Sequence, residues 1–175
     1  MSMKMALLIV LLAIVALGLY LFYLRFTNYG TLVIKIVDPP REWGEATHVY
    51  IRYSEIAVHR ADVGNESGWY EVATGSEIDL ADVVNVSRVV GKASLPAGKY
   101  NLIRFRILQA VVTIANKNYS AEVPPGEITV VIIGGGVEIQ PSKTTYLVID
   151  VNTKVVGSRE TGFKIVPAAT AYPEE

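Results

Sequence analysis

The chain begins with an unbroken apolar stretch and continues as short segments of alternating character. From Met5 to Leu24 no side chain is charged. As a helix rising 1.5 Å per residue, this stretch would extend about 30 Å, the thickness of the hydrocarbon core of a bilayer. Tyr20 and Tyr23 lie near its end, where amphipathic rings favour the lipid–water interface. The pattern therefore predicts a transmembrane signal anchor over residues 1–25, with the lipid bilayer as its partner.

Three interpretations of this stretch remain open. An uncleaved anchor accounts for its full length. A cleaved signal peptide would use the small residues around Gly18, and the mature chain would then begin with an apolar segment able to join a sheet edge of another subunit. A pilin-like assembly helix is the third interpretation, because Lys4 directly precedes the apolar residues. The mature N-terminus distinguishes the three.

After a linker over residues 26–29, apolar and polar residues alternate with period 2, which is typical of β-strands. The clearest strands are predicted at residues 31–37, 48–60 and 99–108. In the second of these the apolar positions change parity at residues 53–55, which indicates a β-bulge. Local periodicity thus predicts both the strands and one irregularity within them.

The remaining pattern completes an all-β domain. Further strands are predicted at residues 69–73, 111–115, 119–123, 128–133, 137–139, 144–150 and 163–166, and one turn of helix at 78–84. Short strands separated by closely spaced turn residues are typical of a sandwich. We therefore expect an antiparallel β-sandwich of about eight to nine strands over residues 30–168, followed by a tail at 169–175.

The charge balance excludes some functions. The chain has 16 basic and 17 acidic side chains, and a nucleic-acid-binding protein would normally show a basic excess. Because no cysteine occurs, disulfides and thiolate metal sites are excluded. The chain has only two glutamines, Gln109 and Gln140, and this depletion of a thermolabile side chain fits a thermophilic protein.

N-glycosylation sequons and the charges that flank the apolar stretch indicate on which side of the membrane the β domain lies. Three sequons, at Asn65, Asn85 and Asn118, make these residues glycosylation candidates, where about one is expected by chance. Lys4 and the amino terminus precede the apolar stretch, whereas Arg25 alone follows it closely, which slightly favours an amino end inside the cell. Together these features predict a single-pass membrane protein with an extracellular β domain.

Two motifs look functional but are better explained by structure. Glycines 134–136 follow a predicted strand, as in a dinucleotide site, but a second strand pattern follows them instead of the required helix, so we predict a turn or bulge. Glu55 and His59 have the i, i+4 spacing of metal ligands on a helix, yet on a strand they lie about 13 Å apart, which predicts a surface histidine. His48 stands alone, and no Ser–His–Asp arrangement can be assembled.

Two weaker candidate sites remain. Asp62, Asn65 and Glu66 share one polar loop and offer oxygen ligands to Ca²⁺, although a solvated loop is the expected use. Three aromatic rings either form an exposed platform for stacking sugars or cover the core, the commoner use: Trp43, Trp69 and Tyr100. No catalytic or cofactor-binding residue is predicted, and no cofactor other than this weak Ca²⁺ candidate.

Several segments together resemble one family, the DUF4382 domain. They are residues 30–40 (GTLVIKIVDPP), 53–59 (YSEIAVH), 68–69 (GW), 78–80 (IDL), 95–104 (LPAGKYNLIR) and 162–167 (GFKIVP). The resemblance covers nearly everything from Gly30 to Pro167 and is carried by the order and spacing of the segments. It implies an exported, often membrane-attached β-sandwich. It supplies no catalytic residues.

The expected function follows from the anchor and the absence of a catalytic motif. We expect a non-catalytic, membrane-anchored cell-surface protein that binds or scaffolds something in the cell envelope. The alternative is a structural subunit of an extracellular filament or surface layer that assembles through its N-terminal segment. An envelope enzyme is a distant third, motivated only by scattered carboxylates.

Overall fold

The computed structural model describes residues 3–37, 42–64 and 67–174 of the chain. In these residues a long N-terminal helix is followed by ten strands. Their bounds are α1 Met3–Thr27, β1 Tyr29–Val37, β2 His48–Arg60, β3 Trp69–Asp79, β4 Arg88–Pro96, β5 Gly98–Ile114, β6 Lys117–Glu122, β7 Glu127–Val131, β8 Val137–Ile139, β9 Thr144–Ser158 and β10 Gly162–Pro173. Short 3₁₀ turns occupy Leu80–Val83 and Ile133–Gly135.

The ten strands form one nearly closed, barrel-like sheet. Its order is β3-β2-β5-β6-β10-β9-β1-β4, and β7 and β8 also pair with β5. The two end strands, β3 and β4, come close together: a Cβ added at Gly91 would lie 3.2 Å from the carbonyl oxygen of Val72. The Tyr53 hydroxyl also donates to the carbonyl of Val90 over 3.3 Å. The sheet therefore wraps around a single core.

The long strand β5 organises one side of this sheet. One of its edges pairs with β2 throughout, and the other pairs successively with β8, β7 and β6. Ile103, Phe105 and Ile107 alternate along it and are buried, as the period-2 pattern predicts. The predicted bulge in β2 is confirmed, because the register with β5 shifts around Ser54. This shift keeps apolar residues on the inner face along the whole strand.

The mainly β class is confirmed, but the expected antiparallel sandwich of eight to nine strands is wrong in detail. There are ten strands in one continuous sheet, and the β1–β9 and β6–β10 pairs are parallel. Periodicity reveals which face of a strand is buried and carries no information about its neighbour. Strand β4 was not predicted because it is a largely exposed end strand with little alternation. The expected tail is mostly strand, since β10 continues to Pro173.

The interior of the sheet is filled by side chains. Leu32, Ile34, Ile56, Ile103 and Leu147 are among the fully buried residues of the continuous apolar core. The interior void is only about 20 Å³ and is lined by apolar side chains alone. That volume accommodates about one water-sized group, so this interior, as far as its residues are described, is packed too tightly to hold a ligand.

The N-terminal helix differs from the rest of the molecule in its exposure. Every described side chain from Leu7 to Tyr23 is exposed, including Leu12 at 60% and Phe22 at 61%. The helix is longer than the predicted anchor and ends at Thr27, so the predicted four-residue linker shortens to Asn28. Within the part of the chain that the structure describes, no helix meets the length and hydropathy required to cross a membrane.

The β5–β6 hairpin contains a strained alanine. The predicted hairpin is confirmed, with a two-residue turn in which Ala115 and Asn116 both have positive φ, 50° and 59°. A non-glycine residue there costs about 1–2 kcal/mol. We expect Ala115→Gly to raise the free energy of unfolding by about 0.5 kcal/mol, after the extra entropy of the unfolded glycine is subtracted. Denaturant titration measures it, with the exposed strand position Ala168→Gly as a control that should lose stability. A loss of stability at both positions would contradict this interpretation.

Candidate functional site

The outer face of β2, β5 and β7 carries a network of four charged side chains. Glu55 accepts hydrogen bonds from Arg104 over 2.8 Å and from Arg106 over 3.0 Å. Arg106 also donates to Glu127 over 2.7 Å, and the hydrogen bond to Glu127 with the nearby charge of Glu55 raises the pKa of Arg106. Each cation thus has a carboxylate partner. The network neutralises itself, so it is poorly suited to holding an anion.

An aromatic cluster adjoins this network. The guanidinium of Arg104 lies over the ring of Trp69 at 4.3 Å, and the same ring meets His59 edge-on at 4.9 Å. His59 is only 2% exposed. Its Nε2 lies 2.8 Å from the Ser67 carbonyl and 3.1 Å from the Gly64 carbonyl, so Nε2 carries the proton and donates to both.

The predicted surface position of His59 is therefore wrong. The carbonyls of Gly64 and Ser67 lie against the imidazole, a contact that strand periodicity cannot reveal. Buried Nδ1 has no hydrogen-bond partner among the described residues. Glu55 is engaged by Arg104 and Arg106, so its carboxylate has partners other than His59. Through these two hydrogen bonds, His59 holds the backbone at Gly64 and Ser67 against the sheet.

The Ca²⁺ candidate lies partly outside the described residues. Asn65 and Glu66 are not described, whereas the two carboxylate oxygens of Asp62 accept hydrogen bonds from Arg60 over 2.7 and 3.0 Å. This hydrogen bonding lowers the pKa of Asp62. In the described ranges no group of three or more His, Asp or Glu side chains is placed to hold a metal ion. A Ca²⁺ site would have to compete with Arg60 for Asp62, and it stays a prediction.

His48 is not isolated, contrary to expectation. Its Nδ1 lies 2.6 Å from Oδ2 of Asp79, and the other oxygen of Asp79 accepts from the backbone N–H of Ala81 over 3.0 Å. Tyr50 stacks on the imidazole at 5.8 Å, and burial together with the charge of Asp79 raises the pKa of the Tyr50 hydroxyl. The two partners come from β2 and the end of β3, 31 residues apart, so spacing in the sequence could not show the pair.

The oriented imidazole alone does not form a catalytic site. A carboxylate on Nδ1 holds a histidine in the tautomer that a general base needs, but covalent catalysis also requires a nucleophile within hydrogen-bond reach. Among the described hydrogen bonds, Asp79 is the partner of His48, and no hydroxyl is placed beside it. We therefore assign a structural role to the His48–Asp79 pair, which stabilises the turn after β3.

The three aromatic residues do not form a common platform. Trp43 is 2% exposed and Tyr100 is fully buried, whereas Trp69 is half-buried beside Arg104. The prediction that such rings cover the core is confirmed for Trp43 and Tyr100. Tyr100 donates to the carbonyl of Pro96 over 2.9 Å, and burial raises its pKa to about 12.

The glycosylation candidates differ in their surroundings. Asn85 is exposed at a turn with φ of 56°. Asn118 is also exposed, but its side-chain oxygen accepts a hydrogen bond from Thr113 over 2.7 Å. Asn65 lies outside the described residues. Asn85 is thus the more accessible of the two described acceptors, and use of any of the three stays a prediction.

An open groove lies at the end of the sheet away from α1. This far end carries the β5–β6 turn and the β9–β10 turn. The groove has a volume of about 540 Å³, within the range of small-molecule sites. Its floor is apolar, from Ile114, Val155 and Phe163, and its rim holds Glu45, Arg159 and Glu160. The sequence analysis missed it because its lining comes from three separate parts of the chain.

Comparison with known proteins identifies a family and no closer relative. No curated protein and no solved structure matches the chain. Residues 29–167 match the model of a family described as a domain of unknown function. The match begins at the first strand and ends within β10, so it includes nearly all of the sheet. The chain therefore belongs to the DUF4382 family.

Proposed function

We propose that this protein is a non-catalytic, membrane-anchored cell-surface protein that binds or scaffolds a partner in the cell envelope. Its N-terminal helix would insert in the bilayer and hold the sheet outside the cell. The groove at the far end, remote from the helix, is the surface on which we place partner binding. These assignments rest on the exposure of the helix and on the pairing of the charged side chains.

The exposed apolar helix is the observation that carries the proposal. Described side chains such as Leu8, Leu12 and Leu19 are 56–64% exposed, while the sheet buries its own apolar residues in a closed core. Exposed apolar area costs about 25 cal/mol per Å² in water, so a helix of this length needs an apolar environment. In the sequence, the uncharged run from Met5 to Leu24 would extend about 30 Å as a helix, although the described residues of α1 do not by themselves meet the length and hydropathy of a membrane span.

The surface of the domain supports a binding role more than a catalytic one. The carboxylates near the aromatic cluster are used in ion pairs, as Glu55 is with Arg104 and Arg106. His48 is paired with Asp79 without an adjacent nucleophile among the described residues. Catalysis needs an accessible acid, base or nucleophile that the fold leaves available. The charged side chains described at these two places are engaged with one another, which favours a binding role.

Membrane extraction tests the anchor. We expect the wild-type chain to remain in the membrane pellet after alkaline carbonate washing. Two lysines near the centre of the apolar run, Leu12→Lys with Val15→Lys, should move most of it to the supernatant, because each costs about 2.5–3.5 kcal/mol near the centre of a spanning helix. The matched control is Val131→Lys with Val166→Lys, which adds the same charge at exposed strand positions. Retention of the helix variant, or release of the wild type, would contradict the proposal.

A filament subunit is the second candidate, because the exposed apolar residues that remain after cleavage near Gly18, from Leu19 to Tyr23, could be covered by a neighbouring copy. The mature N-terminus, read by mass spectrometry, separates the two functions. The anchor requires Met1 or Ser2 at the start of the membrane-bound chain. A start at Leu19 in chains recovered from shed filaments would support assembly and overturn the anchor.

A further inference from the structure

The helix is joined to the sheet by a single residue. Helix α1 ends at Thr27 and β1 begins at Tyr29, so Asn28 is the whole connection. The carbonyl of Asn28 accepts from the N–H of Ala97 over 2.8 Å, and that of Tyr29 accepts from Ser142 over 2.8 Å. The junction is thereby fixed to the β4–β5 and β8–β9 turns. Whatever surrounds the end of the helix must also lie close to these turns.

The end of the sheet that carries this junction has a distinctive set of side chains. We call it the base and define it by Tyr29, Val63, Lys99 and Lys143. Lys99 and Lys143 are exposed, and neither forms an ion pair with any described residue. Tyr29 and Val63 are 38% and 36% exposed, respectively. The base thus combines two available cations with two partly exposed apolar groups.

The other charges of the base do not cancel these lysines. Arg60 and Asp62 form a bidentate pair, which is neutral as a unit. The N–H of Ala61 donates to the carbonyl of Lys99 over 2.8 Å, which brings this pair and Val63 to the base. Glu138 lies opposite Lys99 in the β5–β8 register, without an ion pair between them. The described charges of the base therefore sum to about one positive charge, on a surface that also exposes apolar atoms.

The far end of the sheet is well separated from the base. Strand β5 begins at Gly98 in the base and ends at Ile114, next to the turn that contains Asn116. At about 3.3 Å per residue, its 17 residues extend roughly 50 Å. A bilayer in contact with the base therefore cannot reach Asn116, which makes that residue a suitable reference point.

We propose that the base rests on the lipid head groups of the membrane that holds α1, with Lys99 and Lys143 contacting lipid phosphates. Tyr29 and Val63 pack at the interface, where amphipathic and apolar groups gain from partial burial. Phosphate oxygens attract ammonium groups, and anionic lipids strengthen this contact. The inference rests on the proposed function, and it adds that the domain stands upright on the membrane with its groove directed away from it.

Single-cysteine labelling tests this orientation, since the chain contains no native cysteine. The full chain is placed in vesicles of anionic and zwitterionic phospholipid that carry a head-group spin label or an acyl-chain spin label. A fluorophore is attached at Val63→Cys in the base, Leu12→Cys in the helix or Asn116→Cys at the far end. We expect head-group quenching at Val63, acyl-chain quenching at Leu12 and retained emission at Asn116.

The outcomes separate this inference from the function on which it rests. Quenching at Leu12 without quenching at Val63 would overturn the inference and leave the anchor intact. Retained emission at both Leu12 and Val63 would overturn the inference and the membrane anchor together. Strong quenching at Asn116 would mean that the domain lies on its side, which also overturns the inference.

A second pair of variants tests the lysines. Lys99→Gln with Lys143→Gln should reduce head-group quenching at Val63 in anionic vesicles, and the loss should be smaller in purely zwitterionic ones. The matched control is Lys92→Gln with Lys117→Gln, two exposed lysines outside the base. Equal quenching in both double variants would overturn the assignment of Lys99 and Lys143 to lipid phosphates.

Discussion

Gly136→Ala is expected to lower the free energy of unfolding by about 3 kcal/mol or more. Gly136 has φ of 114° and ψ of −178°, a conformation that is essentially restricted to glycine. A Cβ at this position would lie 2.5 Å from the carbonyl oxygen of Tyr100, which is backbone and cannot move aside. The substitution therefore adds a steric clash to the conformational strain, at the point where β8 pairs with β5.

Gly134→Ala is the matched control two residues earlier. Gly134 also has positive φ, 75°, but a Cβ there would meet nothing within 4 Å. We expect a loss of about 1 kcal/mol, the cost of a left-handed conformation without a clash. Urea titrations of the two variants, with the slope of the transition compared to detect changes in the unfolded state, measure the difference. Equal losses would show that conformational strain alone, and no close approach to Tyr100, determines the glycine requirement.

The same glycines show what the sequence can and cannot specify. The strand pattern after residue 136 predicted a turn at the glycines, and this turn is confirmed as a 3₁₀ turn followed by β8. Which glycine is indispensable depends on the approach of β8 to Tyr100, more than 30 residues away in the chain. A contact at that separation leaves no local pattern. The sequence therefore predicts the turn, but it does not predict the close contact between Gly136 and the carbonyl of Tyr100.

A similar division holds for the rest of the fold and the candidate site. The buried alternation of β5, the shift at Ser54 and the β5–β6 hairpin were predictable because each depends on residues adjacent in sequence or on one strand face. The parallel β1–β9 pair, the burial of His59 and the contact between His48 and Asp79 were not. These three join elements whose partners are chosen by global packing.

Tyr100→Phe is expected to destabilise the protein near pH 8 and to protect it above pH 11. At pH 8 the variant loses the hydrogen bond to Pro96, which costs about 1 kcal/mol because the partly buried carbonyl loses its donor. Burial raises the pKa of folded Tyr100 to about 12, whereas the unfolded chain ionises near 10. A raised folded-state pKa contributes stability that is complete below pH 10 and is lost as the pH rises towards 12.

This loss amounts to about 2 kcal/mol by pH 12, and phenylalanine cannot undergo it. The difference in unfolding free energy between wild type and Tyr100→Phe should therefore shrink from about pH 10 and change sign between about pH 10 and 11. Comparing the two proteins cancels the titration of the other nine tyrosines. Tyr146→Phe, at an exposed position, is the control and should follow the wild-type pH profile. A pH-independent difference between wild type and Tyr100→Phe would mean that the hydroxyl ionises equally well in the folded chain. That outcome would contradict the complete burial of Tyr100 and the rise in pKa that follows from it.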